Sequence, residues 1–352
     1  MWNMLAAVYA VGVSFLHALR ARRWQHLVGS AVIDAYVPRR FQFQDLRGDV
    51  ERREAAFDLN VMRRQSDSLS EGTTVNKFEK KVAIVTGGGM GLGQALSEEL
   101  ARRGAIVIVA DIDDDAAQKV TSRIVQAGAP ARAVEVDVSK KEDVARLIET
   151  TVSEFGRLDY IFNNAAIAIG GDARDVSVEQ WERVLNVNLR GVVYGTIKAY
   201  QVMVKQGHGH IVNISSASGL IPQPGNASYC TCKHGIVGLS LSLRFEGSDL
   251  GVRVSAVCPG DMKTSIYENM VVMNMPREQV IQVSRRSHFP SPQMRAQDAA
   301  RAILRGVSRN QALIVFPAAV RWIWRLYRVL PSLIYWVSLR RIRMFRKLRI
   351  NA

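Results

Sequence analysis

Cysteine is scarce in this chain of 352 residues: there are three, Cys230, Cys232 and Cys258, and no C-x-x-C pair. An odd count at that spacing excludes a disulfide framework and a thiolate metal site, and it fits a reducing compartment. All three read as small apolar packing residues. Histidine adds nothing to this, since His208, His210 and His234 lack metal-ligand spacing. No metal is expected. Neither end of the chain holds the run of about 20 uninterrupted apolar residues that a bilayer crossing needs. Acidic residues are absent after Asp298, in a stretch that carries 12 Lys and Arg, so residues 1–298 hold only +3 of the formal net charge of +15. The basic character therefore belongs to the tail and says little about the body.

What is present is a globular composition, with 48% hydrophobic and 22% charged residues, enough for one large domain with appendages. Residues 1–19, "MWNMLAAVYAVGVSFLHAL", carry no charge and are followed by Arg20, Arg22 and Arg23. The charges come after the apolar run, which is the wrong order for a secretory signal. Two readings stay open. One is a short anchor whose positive flank keeps the following domain cytoplasmic; the other is a helix packed on the body. Residues 20–76 form a polar extension that ends in the linker-like "SDSLSEGTTVN".

From residue 77 to 317 the pattern changes. Short β-branched runs, "KVAIVTG" (81–87), "AIVIVAD" (105–111), "ARAVEVDV" (131–138), "LDYIFNNAA" (158–166), "GHIVNISS" (209–216), "VRVSAVCPG" (252–260) and "ALIVFP" (312–317), alternate with helical stretches. Such alternation predicts a parallel sheet with helices on both faces. Near-continuous apolar strands agree, because those strands are buried on both sides.

The first run leads into "TGGGMGLGQAL" (86–96), with glycines at 87, 88, 89, 91 and 93 before a helix. A strand, a glycine turn and a helix in that order make a phosphate cradle, since the backbone turns sharply and the helix offers free N–H groups at its positive end. Asp111 ends the second run, where a carboxylate accepts hydrogen bonds from ribose hydroxyls and repels a 2′-phosphate. Met90 and Ile112 supply no compensating cation. NAD is therefore expected over NADP. Tyr229 and Lys233 are four residues apart, on one face of a predicted helix.

These motifs resemble the short-chain dehydrogenase/reductase family, over about residues 78–317. Thr86, Gly87, Gly91, Leu92 and Gly93 match its T-G-x-x-x-G-x-G loop. Asp137-Val138 resembles its adenine-contacting pair. Asn164 and Ala165 fall in "NNAA", with Ala166 in place of the usual glycine. Asn188, Ser216, Tyr229 and Lys233 match its catalytic set, and Pro259, Gly260 and Thr264 match a segment near the nicotinamide. The resemblance implies an α/β fold: a single Rossmann-type, doubly wound parallel sheet of about seven strands with N- and C-terminal extensions. It also implies roles. Tyr229 is the acid/base and Ser216 holds the substrate oxygen. Lys233 favours the phenolate and binds the ribose, and Asn188 anchors a water that links Lys233 to solvent. Homodimers or homotetramers are common in the family.

The expected function is an NAD-dependent oxidoreductase acting on a lipophilic secondary alcohol or ketone, or on an alcohol/aldehyde pair. The alternative is an NAD(H)-binding scaffold or sensor with little turnover. Residues 264–294 are rich in Met and Val and suit an apolar substrate cover. Residues 318–352 mix Trp, Tyr and Leu with arginine. Membrane surface, a second subunit and nucleic acid all fit that tail. The composition favours the membrane surface, on the cytoplasmic side, and no motif supports nucleic acid.

Overall fold

The computed structural model describes residues 76–263, 269–280, 282 and 293–350. The expectations for residues 1–19 and 20–75, and for Thr264, lie outside the described residues. Each of the seven apolar runs forms a strand: β1 (Val82–Thr86), β2 (Ile106–Asp111), β3 (Ala131–Glu135), β4 (Tyr160–Asn163), β5 (Gly209–Ile214), β6 (Val252–Pro259) and β7 (Leu313–Phe316). They make one sheet in the order β3-β2-β1-β4-β5-β6-β7. Every ladder is parallel, with Val82 opposite Ile106, Ala83 opposite Tyr160 and Tyr160 opposite His210.

The helices are α1 (Gly91–Arg102), α2 (Asp114–Gln126), α3 (Lys141–Phe155), α4 (Val178–Leu185), α5 (Gly191–Gln206), α6 (Ala227–Glu246), α7 (Ala296–Ser308), α8 (Ala318–Val329) and α9 (Pro331–Arg346). Strand alternation divides the core between the two faces of the sheet. Ala83, Val85, Val107 and Val109 pack with α1, α2 and α7. Val82, Ile84, Ile108 and Ile161 pack with α3, α5 and α6. Local chemistry sets the helix ends. Asp113 caps α2 by accepting from the Ala116 amide at 3.0 Å, and Ser177 and Gln180 form a capping box on α4.

The strand order reverses between β1 and β4, and their carboxyl ends open a crevice where ligands settle in such sheets. α8 leaves the far edge strand β7 and, with α9, makes a hairpin that returns over this crevice. Ile334 and Phe345 of α9 are buried. Arg346 pairs with Asp172 at 2.8 Å and Arg349 with Asp175 at 2.7 Å. The tail thus has an inner face that composition did not reveal. No helix among the described residues is long and apolar enough to cross a membrane.

Candidate active site

The glycine loop closes on itself. Gly87 and Gly91 hold left-handed backbone, with φ of 62° and 54°. A Cβ on Gly93 would stand 1.8 Å from the Gly87 carbonyl oxygen, so no other residue fits there. Thr86 and Asn164 hold the loop in place. The Asn164 amide donates to Thr86 Oγ1 at 2.9 Å, and its side-chain Nδ2 donates to the carbonyls of Thr86 and Gly87 at 2.9 and 3.2 Å. Met90 at the N-cap of α1 provides no side-chain cap. Gly91, Leu92 and Gly93, whose amides begin the helix, line the cavity. This cradle fits a dinucleotide pyrophosphate.

Asp111 lies on the same cavity and is buried. It accepts from the Gly89 amide at 2.8 Å and from the Asp113 amide at 3.1 Å. These bonds aim the carboxylate at the loop and leave its outer lone pairs for a ribose. Asp137 and Val138 also line the cavity. Burial would raise the Asp137 pKa, but bonds from the Ser139 hydroxyl (2.7 Å) and amide (3.0 Å) and the nearby Lys140 hold it below the usual carboxylate range.

The cavity measures about 880 Å³ and runs from Asp111 and Asp137 to Ser216, Tyr229 and Lys233. Gly87, Gly91, Leu92, Gly93, Asn164, Ala165, Pro259 and Gly260 are also on its wall. Of the described residues named from sequence, Thr86 and Asn188 are not on the wall. Thr86 acts from behind, as the clasp just described.

Ser216 lies two residues beyond β5, at the head of a short 3₁₀ turn, and accepts from the Ser218 amide at 3.1 Å. Lys233 Nζ is fully buried, donates to the Ile214 carbonyl at 2.9 Å and sits 5.2 Å from the centre of the Tyr229 ring. Burial depresses its pKa to about 8. The resemblance has Lys233, with oxidised nicotinamide beside it, favouring the phenolate; in the free protein burial works against that form. Burial pushes the Tyr229 phenol well above its ordinary value, and the hydrogen bond from Ser216 only partly offsets that. Both groups are driven toward their neutral forms.

Asn188 is fully buried, in a five-residue π-turn (Asn186–Arg190) between α4 and α5. Its Oδ1 accepts from the Ile167 amide and its Nδ2 donates to the Ile167 carbonyl, both at 2.8 Å. The side chain is therefore a clamp on the loop after β4. Sequence reading also passed over a buried ladder behind the site. Asn163 Nδ2 donates to Asn213 Oδ1 at 2.8 Å, Thr196 Oγ1 donates to the same oxygen at 3.0 Å, and Asn213 Nδ2 donates to Ser240 Oγ at 3.0 Å. The only sequence signal was a polar residue interrupting an apolar strand at 163 and again at 213.

At the Tyr229 end, the wall is made by Ile221, Met270, Val320, Ile323, Ile334 and Val337, with exposed Glu179, Glu182 and Arg183 also reaching it. Burial would raise the Asp172 pKa, but hydrogen bonds from Arg346 and Arg174 hold it at about 2, so the hairpin tether stays charged.

The short chain dehydrogenase family model matches residues 81–274. A cyclohexanol dehydrogenase of Acinetobacter sp. is 39% identical over 193 residues, covering 54% of this chain and 76% of that protein. A 3beta-hydroxysteroid dehydrogenase 2 of Eggerthella lenta is 34% identical over 192 residues, covering 54% and 74%. A short chain dehydrogenase/reductase from Burkholderia phymatum, solved in complex with NAD, superimposes with a TM-score of 0.67 at 28% identity, covering 73% of this chain and 96% of that one.

Lys233 should give the free protein a pH signature. Its pKa falls from 10.5 to about 8 on folding. Between those values the unfolded chain binds the extra proton, so stability rises with pH; the gain is complete above 10.5 and lost as pH falls through 8. Relative to Lys233→Met, wild type should gain up to about 3 kcal/mol of unfolding free energy across that window. Denaturant titrations at several pH values measure this, and a constant difference would rule out the depressed lysine.

Proposed function

The chain belongs to the short-chain dehydrogenase/reductase family, and we propose that it is an NAD-dependent oxidoreductase that interconverts a lipophilic secondary alcohol and its ketone, or an alcohol and its aldehyde. What carries this reading is one cavity with a glycine cradle and Asp111 at one end, and Ser216, Tyr229 and an apolar wall at the other. The glycine cradle and Asp111 would hold NAD, which would supply the hydride acceptor in oxidation and, reduced, the hydride donor. Ser216 Oγ holds the substrate oxygen. Tyr229 Oη takes the hydroxyl proton in oxidation and donates it in reduction. Lys233, when charged, stabilises the phenolate beside it. Asn188 is a positioning residue that acts through Ile167. The relatives whose names specify cyclohexanol and a 3β-hydroxysteroid support a cyclic alcohol as the first substrate to try.

Absorbance of NADH tests this with cyclohexanol, a 3β-hydroxysteroid and other secondary alcohols. Wild type should turn over at least one, and Tyr229→Phe should lose a factor of about 10²–10⁴. NADH binding without turnover of any alcohol would favour the scaffold reading.

Asp111 motivates the choice of NAD. Its carboxylate would meet a 2′-phosphate, and the neighbouring Met90 and Ile112 offer no cation. Wild type should favour NAD over NADP by about tenfold or more in kcat/KM, and Asp111→Ser should narrow that ratio. An unchanged ratio in the variant would remove Asp111 from the selection.

We further propose that the outer face of the α8–α9 hairpin rests on an anionic membrane surface, on the cytoplasmic side. Trp322, Tyr335 and Trp336 are exposed. Arg325 and Arg340 stack on Trp322 and Trp336, at 5.3 and 3.9 Å from the ring centres. Aromatic rings interleaved with cations suit an anionic interface. Full-length protein should co-sediment with phosphatidylserine-containing vesicles about tenfold better than with pure phosphatidylcholine ones, and Trp322→Ala/Trp336→Ala/Arg325→Glu should abolish the difference. Equal partition with both vesicles would refute the anionic contact, and a variant that changes subunit number would assign the face to a second copy.

A further inference from the structure

α9 presents four residues to the cavity: Ile334, Val337, Ser338 and Arg341. Their spacing of three, four and seven is one face of a helix. Tyr335 and Trp336 fall outside that face and are exposed. The inner face belongs to the reaction chamber, because Tyr229, Lys233 and Ser216 lie on the same wall.

The hairpin is fixed at both ends. At its start, Val320 of α8 packs on Gly260, where a Cβ would come within 2.6 Å of the valine methyl. At its finish, α9 and the residues after it reach three separate loops. Arg346 and Arg349 take Asp172 and Asp175. Arg349 is bidentate, with Nε at 2.9 Å from the second Asp175 oxygen, and the Ile350 amide donates to the Asn274 carbonyl at 3.0 Å. Phe345 is buried with Met275 and Val280, and its ring would lie 3.8 Å from a Cβ on Gly225, four residues before Tyr229. A helix held on three loops around one end of a cavity is a rigid wall. The family model stops at residue 274, before α9 begins.

We propose that α9 is the specificity wall of the enzyme: Ile334 and Val337 limit the size of the apolar body of the substrate, and Ser338 and Arg341 admit a polar group at its far end. This rests on reading the cavity as the hydride-transfer chamber. The substrate class that fits is a compact cyclic alcohol, apolar along one side. Its acceptance is decided by the side-chain volume at position 337.

Two measurements on the full chain test the wall. In the first, KM is compared for cyclohexanol and a 3β-hydroxysteroid, with KM for NAD as the folding control. Val337→Trp should raise the steroid KM about tenfold or more relative to that of cyclohexanol, and Val337→Ala should lower it. KM for NAD should stay within about twofold in both. If the two alcohols shift together, or neither shifts, in both variants, the wall is overturned. The second measurement needs no turnover. Benzophenone is irradiated with the wild-type protein, and its adducts are mapped by mass spectrometry with and without excess cyclohexanol. Adducts at Ile334 or Val337 that cyclohexanol suppresses are expected. Adducts confined to the outward Tyr335 and Trp336 overturn the proposal. Suppressible adducts at 334 or 337 without turnover of any alcohol would keep the wall and sink the oxidoreductase reading, so the two fail separately.

Discussion

The site depends on one contact, the clasp between Thr86 and Asn164. These residues stand at the carboxyl ends of β1 and β4, where the strand order reverses. A parallel ladder alone does not fix the loops that leave it. Here the Thr86 hydroxyl accepts from the amides of Asn164 and Ala165 at 2.9 and 3.2 Å. The Asn164 carboxamide then holds the carbonyls of Thr86 and Gly87. The glycine turn can therefore approach Gly93 with no space for a side chain, and the first turn of α1 is aimed at the crevice. Removing the carboxamide would leave two inward carbonyls without that donor, at about 1–3 kcal/mol for a buried group. It would also loosen the helix end that carries the anion-binding amides.

A second constraint lies beneath the catalytic side chains. Asn163, Thr196, Asn213 and Ser240 are all buried, and they bond one another across β4, α5, β5 and α6. A buried polar set stabilises only when each member is satisfied. Its geometry then admits one arrangement of the four elements. Gly195 shows how tight that arrangement is, since a Cβ there would fall 2.2 Å from Asn163 Oδ1. Directly above, Ser215 Oγ donates to the Lys233 carbonyl at 2.7 Å and Lys233 Nζ donates to the Ile214 carbonyl. The end of β5 and the start of α6 are thereby locked together, which sets Ser216 and Tyr229 on a shared cavity wall.

Much of this was legible in the residues because the fold is built from local signals. Strands buried on both faces must be apolar throughout, so "KVAIVTG" and its six counterparts announced themselves. Glycines that backbone contact requires announced the cradle. The ladder behind the site was harder to see, since Asn163 and Asn213 are single polar residues whose partners come from other elements. Asn188 was named from the chain, but its clamp on Ile167 depends on a π-turn that no periodicity reveals. The hairpin was the largest omission. Composition counted 12 positive charges after Asp298, yet Arg346 and Arg349 are spent on Asp172 and Asp175, each pair being 174 residues apart. Pairing over that separation leaves no mark in a local window, so the tail read as a surface for a membrane or a second subunit and not as a wall of the cavity.

The electrostatics of Tyr229 and Lys233 follow from the same burial that assembles the site. A lysine alone in water would carry its charge at neutral pH and favour a phenolate beside it. Here desolvation acts on both partners, holding the phenol protonated and bringing the lysine to about 8. Forming the phenolate in such a place requires positive charge nearby, because an anion there has lost most of its water. Lys233 supplies that charge only while it is protonated, and each bond it makes, including the one to the Ile214 carbonyl, stabilises that form against desolvation. A further cation entering the cavity would act on the two groups in opposite directions, drawing the phenol down while pushing the ammonium toward its neutral form. The pair is therefore poised to respond to the charge of what binds beside it, and the free protein rests with the tyrosine neutral.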